Sequence, residues 1–166
     1  MAPIIRQMVI REGASDEVVF NYFTVGNRIG PKAVNDNWDV LLIQAMLRYL
    51  WAYERGTPDN LCPLPTGIYD KTTAGAIWNF QKKQNLEADW YIDPLPPHYR
   101  GIAVGSRHKV VWTMARLYIL VMEKAVVEPV HLNPVMDVLE RLRDRFPILT
   151  PVAAWMKDEA VGSNVF

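Results

Sequence analysis

The chain has 166 residues, 50% of them hydrophobic with six Trp and seven Tyr, and its 18 Lys and Arg balance 18 Asp and Glu. That is ample material for a buried core, while zero net charge gives no field to draw in nucleic-acid phosphates or acidic lipids. One cysteine, Cys62, excludes an internal disulfide framework and a cysteine zinc cluster, and reads as a buried or loop thiol.

Residues 4 to 10 and 18 to 25, IIRQMVI and VVFNYFTV, are rich in β-branched and aromatic types and flank the polar turn REGASDE, so they read as a β-hairpin. The same N-terminal stretch lacks the continuous apolar run of roughly 7–15 residues that a signal peptide needs, because Arg6 and Arg11 interrupt it. Turn chemistry at Gly26, Gly30 and Pro31 leads to an Asn/Asp cluster suited to capping a helix from about Trp38 to Glu54. On it Val40, Ile43, Leu47, Leu50 and Trp51 share one face, and Leu42, Met46 and Tyr49 form a second. A helix with two apolar faces is covered on two sides, which makes this the central element.

After a loop with Gly56, Pro58, Pro63 and Pro65, Asp70 is placed to cap a helix running to about Gln84. At 100° per residue Thr73, Ala76, Ile77 and Phe80 fall on one side and Trp78 roughly opposite, either covered by another part of the chain or exposed for a purpose. The segment DPLPPHYRG, residues 93 to 101, breaks the chain before a long amphipathic helix expected from about Ser106 to Val126. That helix is apolar round most of its circumference and should pack on the central helix or complete its burial in a homodimer; Arg116, Glu123 and Lys124 argue against a membrane span. Two further helices carry start signals in Asn133-Pro134 and Thr150-Pro151, and Arg141, Arg143 and Arg145 among Glu140 and Asp144 read as a solvated face.

Two motifs stand in order. Val40, Ile43, Gln44 and Leu47 give V-x-x-I-Q-x-x-L, and Gly67, Tyr69, Asp70, Thr73, Ala76, Ile77, Phe80 and Gln81 give G-x-Y-D-x-x-T-x-x-A-I-x-x-F-Q. The pair resembles the peptidoglycan-binding-like family, small three-helix modules attached to many cell-wall hydrolases. Gly67 suits a tight turn, Asp70 a helix cap, and small Ala76 a close helix–helix approach, so most motif residues are scaffold. Family members usually continue with a leucine, an Asp-Gly turn and a Gly-x-x-T that opens a third helix. Leu86 and Asp89 fit, but Trp90 stands where the glycine is expected and DPLPPHYRG replaces the short turn. The resemblance covers roughly residues 36 to 93 and extends to the helix expected from 106. The expected architecture is therefore mainly α: one domain over 1–166, with a β-hairpin and turn at 1–35, a peptidoglycan-binding-like core at 36–126 and a C-terminal helical extension at 127–166.

No catalytic constellation stands out. His98, His108 and His131 show no metal-binding spacing, Ser106 and Ser163 lie in no nucleophile elbow, and Glu54 is the first suspect for a lone acid. The expectation is no enzyme, no cofactor and no metal. Binding of sugars or stem peptides favours aromatic platforms edged by polar groups, and Tyr69, Trp78, Trp90, Tyr91, Tyr99 and Arg100, with His98, supply them near the turns. The expected function is a non-enzymatic module docking to cell-wall peptidoglycan, through glycan or stem peptide. The alternative is a protein–protein assembly or adaptor component of a phage or secretion apparatus, and a third reading is a wall-degrading effector. Either way the chain is expected to be made in the cytoplasm and to reach the wall through a dedicated apparatus.

Overall fold

Runs of β-branched and aromatic residues on either side of a polar turn favour extended backbone, and both form strands. A computed structural model describes residues 3–12, 16–51, 62–96, 99–101, 112–125 and 134–162. Strand β1 (Ile4–Glu12) pairs antiparallel with β2 (Asp16–Thr24), from Ile4 opposite Thr24 to Glu12 opposite Asp16. A short third strand, β3 (Tyr99–Gly101), lies parallel to the other edge of β1, with Met8 opposite Tyr99, giving the order β2-β1-β3. The hairpin is as expected; β3 arises inside the proline-rich break, where only a break is legible.

The central helix α1 (Asn37–Trp51) begins where the Asn/Asp cluster caps it: the Asp36 carboxylate accepts from the Trp38 amide at 3.0 Å, and its carbonyl accepts from the Val40 amide. Every residue from Asp39 to Leu50 is buried, so both apolar faces are covered. The coverage comes from α2 (Lys71–Lys83), α3 (Thr113–Ala125), α4 (Pro134–Arg143) and α5 (Thr150–Gly162), all of which pack on α1. One core cluster runs from Phe23 through Ile43, Met46 and Ile77 to Met114, Leu139 and Met156. The fold is mainly α, a helical bundle with an N-terminal hairpin and added C-terminal helices. No described helix is long and apolar enough to cross a membrane.

Two helix starts differ from expectation. Trp112 is not helical and α3 opens at Thr113, so the helix does not run unbroken from Ser106; Val110, Val111 and the rest of 102–111 lie outside the described residues. The start is fixed by a tertiary bond, since the Thr113 hydroxyl accepts from the buried Gln81 amide at 3.0 Å. Thr150 is itself helical (φ −58°, ψ −47°) rather than a cap, because a 3₁₀ turn over Pro147–Leu149 leads directly into α5. Pro134 does open α4, while Asn133, Glu54 and all three histidines lie outside the described residues. Arg141, Arg143 and Arg145 are exposed, and Cys62 is buried.

Asp39 is a buried charge with a definite use. Its carboxylate accepts from the Gly26 and Asn27 amides at 2.8 and 2.9 Å, pinning the chain as it leaves β2. Burial pushes this carboxyl from its ordinary 3.8 up to about 6, against the opposing pull of those two amides. An acid whose folded pKa lies above its unfolded one holds its proton more tightly when folded. Its stabilising contribution is full below about pH 4 and is lost as the pH rises through about 6. A shift of about two units corresponds to about 3 kcal/mol. Denaturant unfolding at pH 4 and pH 7 should show the stability gap between wild type and Asp39→Asn moving by about that much against the wild type at the higher pH. A gap that does not change with pH would mean that Asp39 ionises alike in the folded and unfolded chain.

Candidate functional site

Two buried glutamines organise the end of the bundle where the candidate residues gather. Gln44, on α1, accepts through Oε1 from the Thr66 and Gly67 amides at 2.8 and 2.9 Å. Its Nε2 shares two hydrogens among the Ile68 carbonyl and the hydroxyls of Thr66 and Thr73. Gln81, on α2, repeats the arrangement: Oε1 accepts from the Trp90 amide at 3.1 Å, and Nε2 donates to the Asp89 carboxylate, the Tyr91 carbonyl and the Thr113 hydroxyl. Each glutamine thus ties one turn to the threonine at the start of the next helix. With both side chains almost wholly buried, these bonds satisfy amide groups that would be costly to leave unpaired.

The two turns also share a backbone feature. Each has a residue in the left-handed region, Gly67 at φ +74° and Trp90 at φ +67°. Glycine enters that region freely, but a bulky side chain is strained there by about 1–2 kcal/mol. Trp90 is held nonetheless, by Gln81 at its own amide and by the Asp89 carboxylate accepting from the following Tyr91 amide at 2.9 Å. Strain that surrounding bonds over-determine is found where a side chain must be aimed.

Trp90 is aimed outward. It is 44% exposed and stacks on Trp78 of α2 with centroids 6.3 Å apart and planes 16° from parallel. Trp78 is half-buried, on the helix side opposite Thr73, Ala76, Ile77 and Phe80, all of which are buried. Lys82 stands over the Trp78 ring at 4.8 Å, a cation–π contact one helical turn along. Tyr69 joins the group from the first turn, its hydroxyl donating weakly to the Trp90 carbonyl at 3.4 Å; partial burial raises its pKa.

Residues 37–95 match a family described as "Putative peptidoglycan binding domain". The likeness to that family extends over this stretch and not over the whole chain. The peptidoglycan-binding-like domain takes in α1, α2 and both glutamine-held turns and ends at Leu95, before β3 and α3. No curated protein and no solved structure matches the chain.

The structure brings Tyr69, Trp78 and Trp90 together at one end of this peptidoglycan-binding-like domain. Tyr91 turns the other way: its hydroxyl donates to the Pro31 carbonyl at 3.0 Å, Arg28 lies over its ring at 4.5 Å, and its ring fills the space beside Gly30. A Cβ on Gly30 would come within 2.2 Å of that ring, and Arg28 also pairs with Asp93 at 2.6 Å, so the N-terminal loop is clasped against the turn. Tyr99 and Arg100 sit in β3 by their backbone; their side chains, and all of His98, lie outside what is described. The residues not singled out as functional from the sequence are Gln44 and Gln81, Lys82, and the exposed Leu64 and Ile68 of the first turn. The signal for the glutamines is present in the two Q-containing motifs, since a polar residue beside a helix's apolar face has to find partners.

Proposed function

We propose that the chain is a non-enzymatic module that docks to bacterial cell-wall peptidoglycan through the Tyr69, Trp78 and Trp90 face. In this reading Tyr91 sets the turn, and Tyr99 and Arg100 extend the contact. The observation that carries it is the exposed indole of Trp90, held at a strained φ inside a domain of the peptidoglycan-binding-like family. An aromatic plate edged by a phenol hydroxyl and a carbonyl suits wall components, which present apolar ring faces beside hydrogen-bonding groups. The whole chain acts as one domain in this proposal, with the hairpin and the C-terminal helices bracing the module, and an apparatus delivers it to the wall.

The test is sedimentation of the purified chain with insoluble peptidoglycan. Wild type should pellet with the wall, and Trp78→Ala and Trp90→Ala, checked to be folded, should lose at least about tenfold in affinity, the size of effect expected for a central aromatic contact. Retention no greater than that of an unrelated protein would overturn the proposal.

A second reading has its own support. Elements at both ends lie outside the matched family stretch, namely the three-stranded sheet and helices α3 to α5. Such additions suit an assembly or adaptor component of a phage or secretion apparatus that keeps the module as scaffold. In that case wall retention fails, and a specific complex with a partner protein is recovered instead.

A further inference from the structure

We infer that the outer face of Trp90 takes a pyranose ring of the wall glycan, an N-acetylated amino sugar, and not the stem peptide. This rests on the peptidoglycan reading above and names the ligand class of the same site.

The geometry of the indole is the first argument. The rings of Trp78 and Trp90 lie near-parallel with centroids 6.3 Å apart, and Trp90 is 44% exposed, so much of its indole stands toward solvent. The backbone beneath is held from two sides, by Gln81 Oε1 at the Trp90 amide and by Asp89 at the next amide. The result is a flat plate whose orientation is set before any ligand arrives. A pyranose presents a flat face of C–H groups that carry slight positive charge, and the face of an indole is the negative region of its quadrupole.

Charge is the second argument. A stem peptide carries carboxylates and amines and needs opposite charges at fixed places. Beside the plate the Asp89 carboxylate accepts from the Gln81 side-chain amide and the Tyr91 backbone amide, and the Lys82 ammonium lies over the Trp78 ring. Two neutral groups stand at the edge of Trp90, the Tyr69 hydroxyl and the Trp90 carbonyl, joined by a 3.4 Å contact weak enough to exchange for sugar hydroxyls. Ile68, two-thirds exposed on the adjoining turn, is an apolar neighbour suited to an acetyl methyl group.

The test is a titration of the full chain with soluble β-1,4-linked N-acetylglucosamine oligomers and, separately, with a synthetic stem pentapeptide. The readouts are the indole N–H resonance of Trp90 and competition with sacculus retention. The oligomer should shift the Trp90 resonance and displace the chain from sacculi, the peptide should do neither, and Trp90→Gly should weaken oligomer binding at least tenfold while remaining folded. Retention by sacculi that the peptide competes and the oligomer does not would overturn the inference and leave the wall reading standing. So would oligomer binding that Trp90→Gly leaves unchanged. Should sacculi fail to retain the chain, the wall reading falls; the oligomer titration then decides by itself, a shifted Trp90 resonance supporting a sugar plate and an unmoved one overturning it.

Discussion

Trp90→Gly should abolish retention on peptidoglycan while leaving the chain at least as stable as Trp90→Ala, by about 1 kcal/mol in favour of glycine. Both substitutions delete the indole and its stack on Trp78, which is worth about 0.5–1.5 kcal/mol beyond buried area. They differ in the backbone they leave behind. Alanine keeps a Cβ at φ +67°, where L-residues are strained, whereas glycine adopts that angle freely. The sign of the comparison is therefore opposite to that at an ordinary exposed site, where glycine is the less stable of the two. Denaturant midpoints for the two variants, with sedimentation on sacculi in parallel, separate what the position demands of the backbone from what the side chain does. Greater stability for Trp90→Ala would mean that the left-handed turn is not held in solution.

Gln81→Leu is the second large effect. Leucine fits the volume of the buried site but makes none of the four hydrogen bonds that Gln81 makes to Asp89, Trp90, Tyr91 and Thr113. The Trp90 amide and the Tyr91 carbonyl lose their partner, the turn is free to relax its strain, and α3 loses the bond at its first residue. The expected loss is about 3 kcal/mol, within the range for breaking a buried polar network. Gln44→Leu should cost a similar amount, because Gln44 holds the first turn by the same logic through five bonds. The two should part in function. At equal temperature below both transitions, Gln81→Leu weakens wall retention more, since it frees the turn that carries Trp90, and Gln44→Leu frees a turn whose left-handed residue is glycine. Equal binding losses would mean that the orientation of Trp90 does not matter.

Elements whose residues carry their own periodicity or cap are legible in the amino-acid sequence alone. The hairpin, α1 with its two apolar faces, and α2 with Asp70 accepting from the Thr73 amide at 2.7 Å stand where their residue patterns put them. What is not legible depends on distant partners. β3 is three residues long, too short for a period, and exists because it pairs with β1, about ninety positions earlier in the chain. The apolar pattern of Val110, Val111 and Met114 starts α3 too early, because the true boundary is set by Gln81 reaching Thr113. In the candidate site the aromatic residues can be named but not sorted. Nothing in the letters says that Trp78 and Trp90 stack, that Tyr91 turns back to Pro31 and Arg28, or that a tryptophan takes a glycine's conformation.

The hydrogen bond from Trp90 to Gln81 ties a solvent-facing residue to the middle of the bundle. Its amide proton rests on an oxygen of a side chain only 1% exposed, and that side chain also grips the start of α3. Loosening the turn means breaking the bonds of a buried side chain that also holds the start of α3. The Trp90 amide should therefore exchange with deuterium far more slowly than an amide open to water, although its ring is exposed. A ligand meeting that ring finds a backbone already held by two hydrogen bonds, which lowers the conformational freedom lost on contact.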